Sequence, residues 1–171
     1  MELRPKVKVR IELFGEGAVM PKYARPGDAG MDIFASGELT LYPGDTGLVP
    51  TGLKFAIPEG YEIQVRPRSG ISLNTPLRIS NSPGTIDSGF RGEFCVIMTN
   101  ASALKSAHTL ETFTPQSKGN AQGTYHIRKG DRIAQIVLAQ VPEMEFEAVG
   151  DVDGIGNDRK GGFGSTGVKD D

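Results

Sequence analysis

A chain of 171 residues, 37% hydrophobic and 23% charged, has the length of one domain and the make-up of an ordinary soluble protein. Its net charge of −2 gives no basic footprint for nucleic acid and no basic patch for a membrane. A single cysteine, Cys95, rules out an intrachain disulfide and a cysteine-rich zinc site, and no apolar run approaches the ~20 residues that span a bilayer.

The 23 glycines and 11 prolines are spread as punctuation, which predicts many short strands and turns. The opening MELRPKVKVRIELF alternates charged and apolar residues and lacks the apolar core of a signal peptide, so a cytoplasmic location is expected. Residues 6–13 read as its strand. In DAGMDIFA (28–35), Asp28 suits a turn, whereas Asp32 falls inside the strand pattern and needs a partner: a cation, a metal-bound water or an arginine. Residues 38–67 read as strand, Pro-Gly turn, strand, Pro-Glu-Gly turn, strand. RPRSG (66–70) leads into the best helix candidate, a short one over 68–74 with Ser69 as its cap. A helical turn there would converge free N–H groups, the Ser69 hydroxyl and Arg68 on an anion; a solvated, capped loop is the alternative.

Strands are predicted over 77–81 and 92–100. Between them GTIDSGFRG (84–92) sets Asp87 at a bend, either as a turn aspartate or as a carboxylate that polarises water. Residues 101–123 are polar and weakly patterned, a loop inserted between strands. Within 124–141, GDRIAQIVL is a turn feeding an apolar strand, with Gln135 as a core glutamine or a ligand contact. Residues 145–149, EFEAV, read as a last strand. The tail, 150–171, carries seven glycines and little to bury, so it is expected to be mobile. Its GGFGSTG (161–167) is either a linker or a phosphate wrap in which Phe163 is a stacking lid. It is no P-loop, for no Lys-Ser/Thr ends the spacing. Helical periodicity never lasts beyond about two turns. The fold class is therefore all-β, a barrel or sandwich: one β domain over 1–149 with an insert at 101–123, then a flexible tail over 150–171.

Taken in order, DAGMDIFA, PRSG, GTIDSGFRGE, GDRIAQIV and GGFGSTG resemble the five motifs of the trimeric dUTP diphosphatases (dUTPases), from about residue 7 to residue 167 apart from the insert. The resemblance implies an antiparallel, barrel-like jelly roll (a β-clip) and a homotrimer whose active sites draw on all three subunits. It implies Mg2+-dependent hydrolysis of dUTP to dUMP and pyrophosphate, which keeps uracil out of DNA and supplies thymidylate synthesis. The tail would close over the active site.

The same resemblance assigns roles residue by residue. Asp87 matches the general base that aims water at the α-phosphorus and contacts the sugar 3′-hydroxyl. Phe90 matches the ring beneath the deoxyribose that excludes a 2′-hydroxyl; most members carry Tyr there. The hairpin backbone between Ile86 and Cys95, with Thr85 before it, would read the uracil edge, and Asn81 matches a ligand-lining position. Cys95 would be a packing or backbone contact, not a nucleophile. Arg68, Ser69 and Gly70 match the phosphate cradle, and Gln135 a further phosphate contact. Asp32 would reach Mg2+ through water, the ion being held otherwise by the phosphates. Phe163 would stack on uracil, and Gly164, Ser165 and Thr166 would wrap the γ-phosphate. The family pattern places an arginine five residues before the ring; here Asp158 stands there, so Arg159 takes the role, with Lys160 as substitute.

The insert is a surface loop or a docking site for a protein or DNA partner. His108 and His126 are assigned no role. Two rival functions are a dCTP deaminase, for which Glu93 is the one glutamate inside the motifs, and a silent regulator acting through the insert, against which Asp87 argues.

Overall fold

Alternation decides which residues go inside. In strand β8 (Phe94–Asn100) every second side chain is buried: Phe94, Val96, Met98 and Asn100. That period of two is the mark of a strand with one face on a core. The computed structural model describes residues 4–103 and 111–157, and within them places eleven strands and one helix. Besides β8 the strands are β1 (Arg10–Leu13), β2 (Met31–Phe34), β3 (Leu39–Leu41), β4 (Thr46–Ala56), β5 (Tyr61–Arg66), β6 (Leu77–Ile79), β7 (Gly84–Ile86), β9 (Thr112–Phe113), β10 (Thr124–Ile127) and β11 (Arg132–Gln140). The helix is α1 (Ser69–Asn74). No helix among the described residues is long and apolar enough to cross a membrane.

The strands form three sheets, ordered β1-β4-β8-β6, β3-β10-β9 and β2-β11-β5-β7. Every pairing is antiparallel except β9 with β10. One hydrophobic core joins the sheets, with Ile33, Val49, Leu53, Leu77, Met98, Tyr125, Ile127 and Ile133 at most 2% exposed. Proline and glycine end strands where the sequence places them. At Tyr42-Pro43-Gly44-Asp45, Gly44 takes φ 90°, the Asp45 N–H donates to the Tyr42 carbonyl, and the Asp45 carboxylate accepts the Tyr42 N–H.

Strand β4 carries a bulge. The register against β8 shifts between Pro50 and Leu53, and Gly52 takes φ 67°. A Cβ there would lie 2.8 Å from the Phe14 carbonyl oxygen and from Ala18 Cβ, so only glycine fits. The bulged N–H of Gly52 donates to Glu93 Oε1 at 3.1 Å, and the Thr51 hydroxyl donates to the Phe94 carbonyl. Glu93 is thereby tied into the fold.

Four sequence expectations change. Strand β7 pairs with β5, and β8 with β4 and β6, so the arms around Asp87 are no hairpin; they diverge into different sheets. Ser69 is not the cap of α1: Arg68 holds the extended cap geometry, φ −90° and ψ 130°, and makes no side-chain cap bond. Residues 145–149 form no strand; Phe146 is 86% exposed and nothing among the described residues pairs with that run. Lastly, residues 111–123 carry strand β9, whose Phe113 packs on the buried Tyr125 with ring centroids 5.7 Å apart.

Candidate active site

The candidate residues fall into two polar clusters, one on the β2-β11-β5-β7 sheet and one where that sheet parts from β8. The first is built on adjacent strands. Asp32 of β2, Gln135 of β11 and Arg66 of β5 stand side by side in register. Chain direction then carries Arg68 back over this row, where its Nε donates to Asp32 Oδ1 at 2.9 Å. Arg132, at the start of β11, brings its Nε to 3.6 Å from Asp32 Oδ2. Of the partners open to Asp32, the structure supplies arginine, twice. Two guanidinium groups around one carboxylate leave a net positive site beside the first turn of α1. There Ser69 and Gly70 are exposed, and first-turn N–H groups have no partner inside a helix. Gln135 is no core glutamine: it is half-buried and its Nε2 donates to the Pro67 carbonyl at 2.8 Å, just ahead of Arg68. Gly30 makes room for it, since a Cβ there would sit 2.6 Å from Gln135 Oε1.

The second cluster is the cleft opened where β7 and β8 part, a hollow of about 310 Å³ lined by Asn81, Thr85, Ile86, Asp87, Phe90 and Cys95 among others. Strand β7 is the edge of its sheet. Strand β6 pairs β8 only from Met98 onward, and the Ser80 N–H takes the Ile97 carbonyl, so residues 94–96 of β8 have no ladder on that side. Two unpaired backbone edges thus face one cavity, with donors and acceptors free for a ligand. The bend itself is clasped by Arg91, whose Nη1 donates to the carbonyls of Ser88 at 2.6 Å and Phe90 at 2.9 Å, while the Phe90 N–H donates to the Asp87 carbonyl. These bonds explain the base in GTIDSGFRG, which the sequence left without a role. They leave the Asp87 side chain exposed, with no hydrogen bond to it from the described residues. The Phe90 ring is 43% exposed and lies on Gly92, where a Cβ would fall 2.8 Å from ring Cζ. Asn81 is set against Gly84, its Nδ2 3.1 Å from where a Cβ would be. Burial, and then the charge of Glu93, push the Cys95 thiol above its ordinary value, which keeps it protonated and poorly nucleophilic.

Within one chain the clusters stay apart. Extending the β5–β7 register puts Asp87 opposite Glu62, four residues from Arg66 and roughly 13 Å along the strand. Among the described residues no three His, Cys, Asp or Glu side chains gather to hold a metal. The cradle offers one carboxylate, Asp32, already engaged with arginine. That donor set fits an ion brought in on phosphate oxygens. It does not fit one caged by the protein. Arg159, Phe163, Gly164, Ser165 and Thr166, with Asp158, Lys160 and His108, lie outside the described residues. His126 is on the surface of β10, its Nδ1 2.9 Å from the Thr40 hydroxyl.

A family model, dUTPase, matches residues 16–106. A deoxyuridine 5′-triphosphate nucleotidohydrolase of Fusobacterium nucleatum is 42% identical over 164 residues, 95% of this chain and 98% of its own. The chain belongs to the dUTPase family. A second such nucleotidohydrolase, from Anaplasma marginale, is 37% identical across 95% of this chain and 99% of its own. Solved dUTPases share the fold. That of Staphylococcus bacteriophage 80alpha with dUPNHPP gives a TM-score of 0.85 at 29% identity, covering 95% of this chain and all of the other. A mutant dUTPase from phage phi11 of S. aureus, whose structure reveals the coordination of a structural Mg(II) ion, gives 0.76 at 30% identity, covering 85% of this chain and 98% of the other.

Sequence reasoning missed Arg132 and Arg91. Arg132 had a signal: Asp32 demanded a partner, and GDRIAQIV carries an arginine three residues before Gln135. Arg91 had none, since its work is on carbonyls of its own bend.

Proposed function

We propose that this chain hydrolyses dUTP to dUMP and pyrophosphate, as one of three subunits that share active sites. Family membership supports the reaction. The observation that carries the reading is an exposed carboxylate, Asp87, on the same chain as an arginine-lined cradle at Asp32; that the sites are shared among subunits is what the family resemblance implies. An apolar hollow of about 240 Å³ lined by Val9, Ile11, Met20, Tyr23 and Phe55, together with the exposed Met144 and Phe146, supports burial against further copies. The barrel-like jelly roll belongs to the same reading.

In the cleft, uracil meets the free edges of β7 and β8 at Thr85, Ile86 and Cys95. Main-chain donors and acceptors then select the base, and Asn81 closes the wall. Phe90 lies under the deoxyribose, where a 2′-hydroxyl would strike the ring. Asp87 is exposed and unpaired among the described residues, so its carboxylate is free to take the proton of a water aimed at the α-phosphorus. A positioned base of this kind contributes about 10²–10⁴ in rate. As the bond to the leaving pyrophosphate breaks, negative charge builds on its oxygens. Arg68, the N–H groups of Ser69 and Gly70, and Gln135 stand ready to receive it.

Asp32 would reach through water a Mg2+ carried in on the substrate's phosphates, and the ion would supply positive charge to offset theirs. The tail of a neighbouring copy, residues 150–171, closes the site: Phe163 stacks on uracil, and Arg159, Gly164, Ser165 and Thr166 surround the γ-phosphate. Closure removes water and strengthens each charge contact. The domain is 1–149, with the insert at 101–123 available to a protein partner, and the enzyme works in the cytoplasm. A deaminase reading loses ground, because Glu93 spends Oε1 on the Gly52 N–H of the β4 bulge.

Pyrophosphate release from each of dUTP, dTTP, dCTP and dATP tests the reaction, with dUTP alone cleaved well. Light scattering tests the assembly, with a mass three times 18.3 kDa. Equal cleavage of dTTP, or full activity from a monomer, would contradict the proposal.

A further inference from the structure

The insert does more than decorate the surface: it grips both flanks of the phosphate cradle. Its turn 114–117 is closed by the Ser117 N–H on the Thr114 carbonyl at 2.9 Å and the Thr114 N–H on the Ser117 hydroxyl at 3.0 Å. Pro115 in that turn is buried. The turn presents Gln116, whose Nε2 donates to Asp131 Oδ1. The other oxygen of Asp131 accepts the Arg128 N–H at 2.9 Å, and its carbonyl accepts the Ala35 N–H at 2.9 Å. The next residue is Arg132, which faces Asp32, which holds Arg68. On the opposite flank the Asn120 N–H donates at 2.8 Å to the carbonyl of Asn74, the last residue of α1. Beside the Gln116 grip lies a hollow of about 270 Å³ lined by Arg68, Pro115, Gln116, Gly130 and Arg132.

We propose that Gln116 is a positioning residue for the phosphate cradle. By holding Asp131 it fixes the start of β11, and so the distances among Arg132, Asp32 and Arg68. The anchoring has a purpose because Arg132 is 57% exposed and 3.6 Å from Asp32, a loose contact that a shift of the backbone would undo. In this role Gln116 acts through Asp131. The inference rests on the dUTP reading for the identity of the anion, and it gives the insert a role in the reaction.

The test uses the full chain and two ligands, a non-hydrolysable dUTP analogue and deoxyuridine, which lacks every phosphate. Gln116→Ala should weaken the analogue about three- to tenfold, the worth of one net hydrogen bond, and leave deoxyuridine within about twofold. The melting temperature should move by less than about 3 °C, since the lost bond is on the surface. Gln116→Met, which keeps the stem's packing, repeats the comparison should the alanine variant melt earlier. Asp131→Ala should weaken the analogue too, and adding Gln116→Ala to it should cost nothing more, because both act through one contact. An unchanged analogue affinity, an equal loss for both ligands, or fully additive effects would each overturn the inference. Failure of the unmodified chain to cleave dUTP would instead defeat the functional reading, so the two failures are distinct.

Discussion

Gly92→Ala puts a single methyl under the Phe90 ring, and the structure says how far the ring must move. The new Cβ would stand 2.8 Å from Cζ and 3.1 Å from Cε2. Carbon atoms rest at about 3.5–4.0 Å, so the ring must retreat by about 0.7–1.2 Å. Both residues are on a bend, the ring itself exposed, so the ring swings outward and stability changes by less than about 1 kcal/mol. The sugar wall is displaced by the same amount. Misplacement on the scale of an ångström is enough to cost up to about 10²-fold in a positioned reaction. The expected loss is therefore on discrimination: the ratio of kcat/KM for dUTP over UTP should fall by about tenfold or more. Steady-state pyrophosphate release with each nucleotide reads this directly, and a melting curve confirms that the fold persists. An unchanged dUTP/UTP ratio in a folded variant would refute the claim that the Phe90 ring excludes the 2′-hydroxyl.

Other outcomes rest on single contacts. Asn100 is fully buried, donating to the carbonyls of Leu41 at 2.9 Å and Gly123 at 2.8 Å and accepting the Ser102 N–H at 3.1 Å. Asn100→Ala removes these bonds and leaves the buried Ser102 N–H without that partner, so urea unfolding should show a loss of about 1–3 kcal/mol. The Cys95 thiol is pushed up by burial and by Glu93, so the folded state favours the protonated form. Its contribution is present below the unfolded thiol pKa and lost as pH rises through the folded one, so stability should decline on the alkaline side. Alkylation of Cys95 should likewise set in at higher pH than for a free thiol. Gly30→Ala should drive Gln135 off the Pro67 carbonyl and raise KM for dUTP, while KM unchanged would show that Gln135 bears on no phosphate.

The strands were legible where a turn residue and an alternating run agreed, as from Leu39 to Arg66 and from Thr124 to Gln140. Motif residues were legible because the five segments kept their order. What the sequence could not show was which strands pair. GTIDSGFRGEFCV reads as a hairpin because its bend is short and both arms are apolar; only the competing ladders of β5 and β4 pull the arms into separate sheets and open the cleft. The EFEAV run alternates like a strand, yet a strand needs a neighbour, and the described residues of the single chain offer none. The insert defeated pattern reading for another reason. Beyond the two-residue ladder of β9 on β10, its ties to the fold are single contacts, such as Gln116 on Asp131 and Asn120 on Asn74, and neither so short a strand nor such contacts have a period to read.

The carboxylate of Asp87 is the centre of the proposed chemistry, and Asp87→Asn tests it with almost no change of shape. The side chain makes no hydrogen bond with the described residues, so the variant should fold and should bind a non-hydrolysable dUTP analogue within about threefold of the original. Single-turnover pyrophosphate release from dUTP should slow by at least about 100-fold. Release at the original rate would contradict it, for then some other group takes the proton from the attacking water.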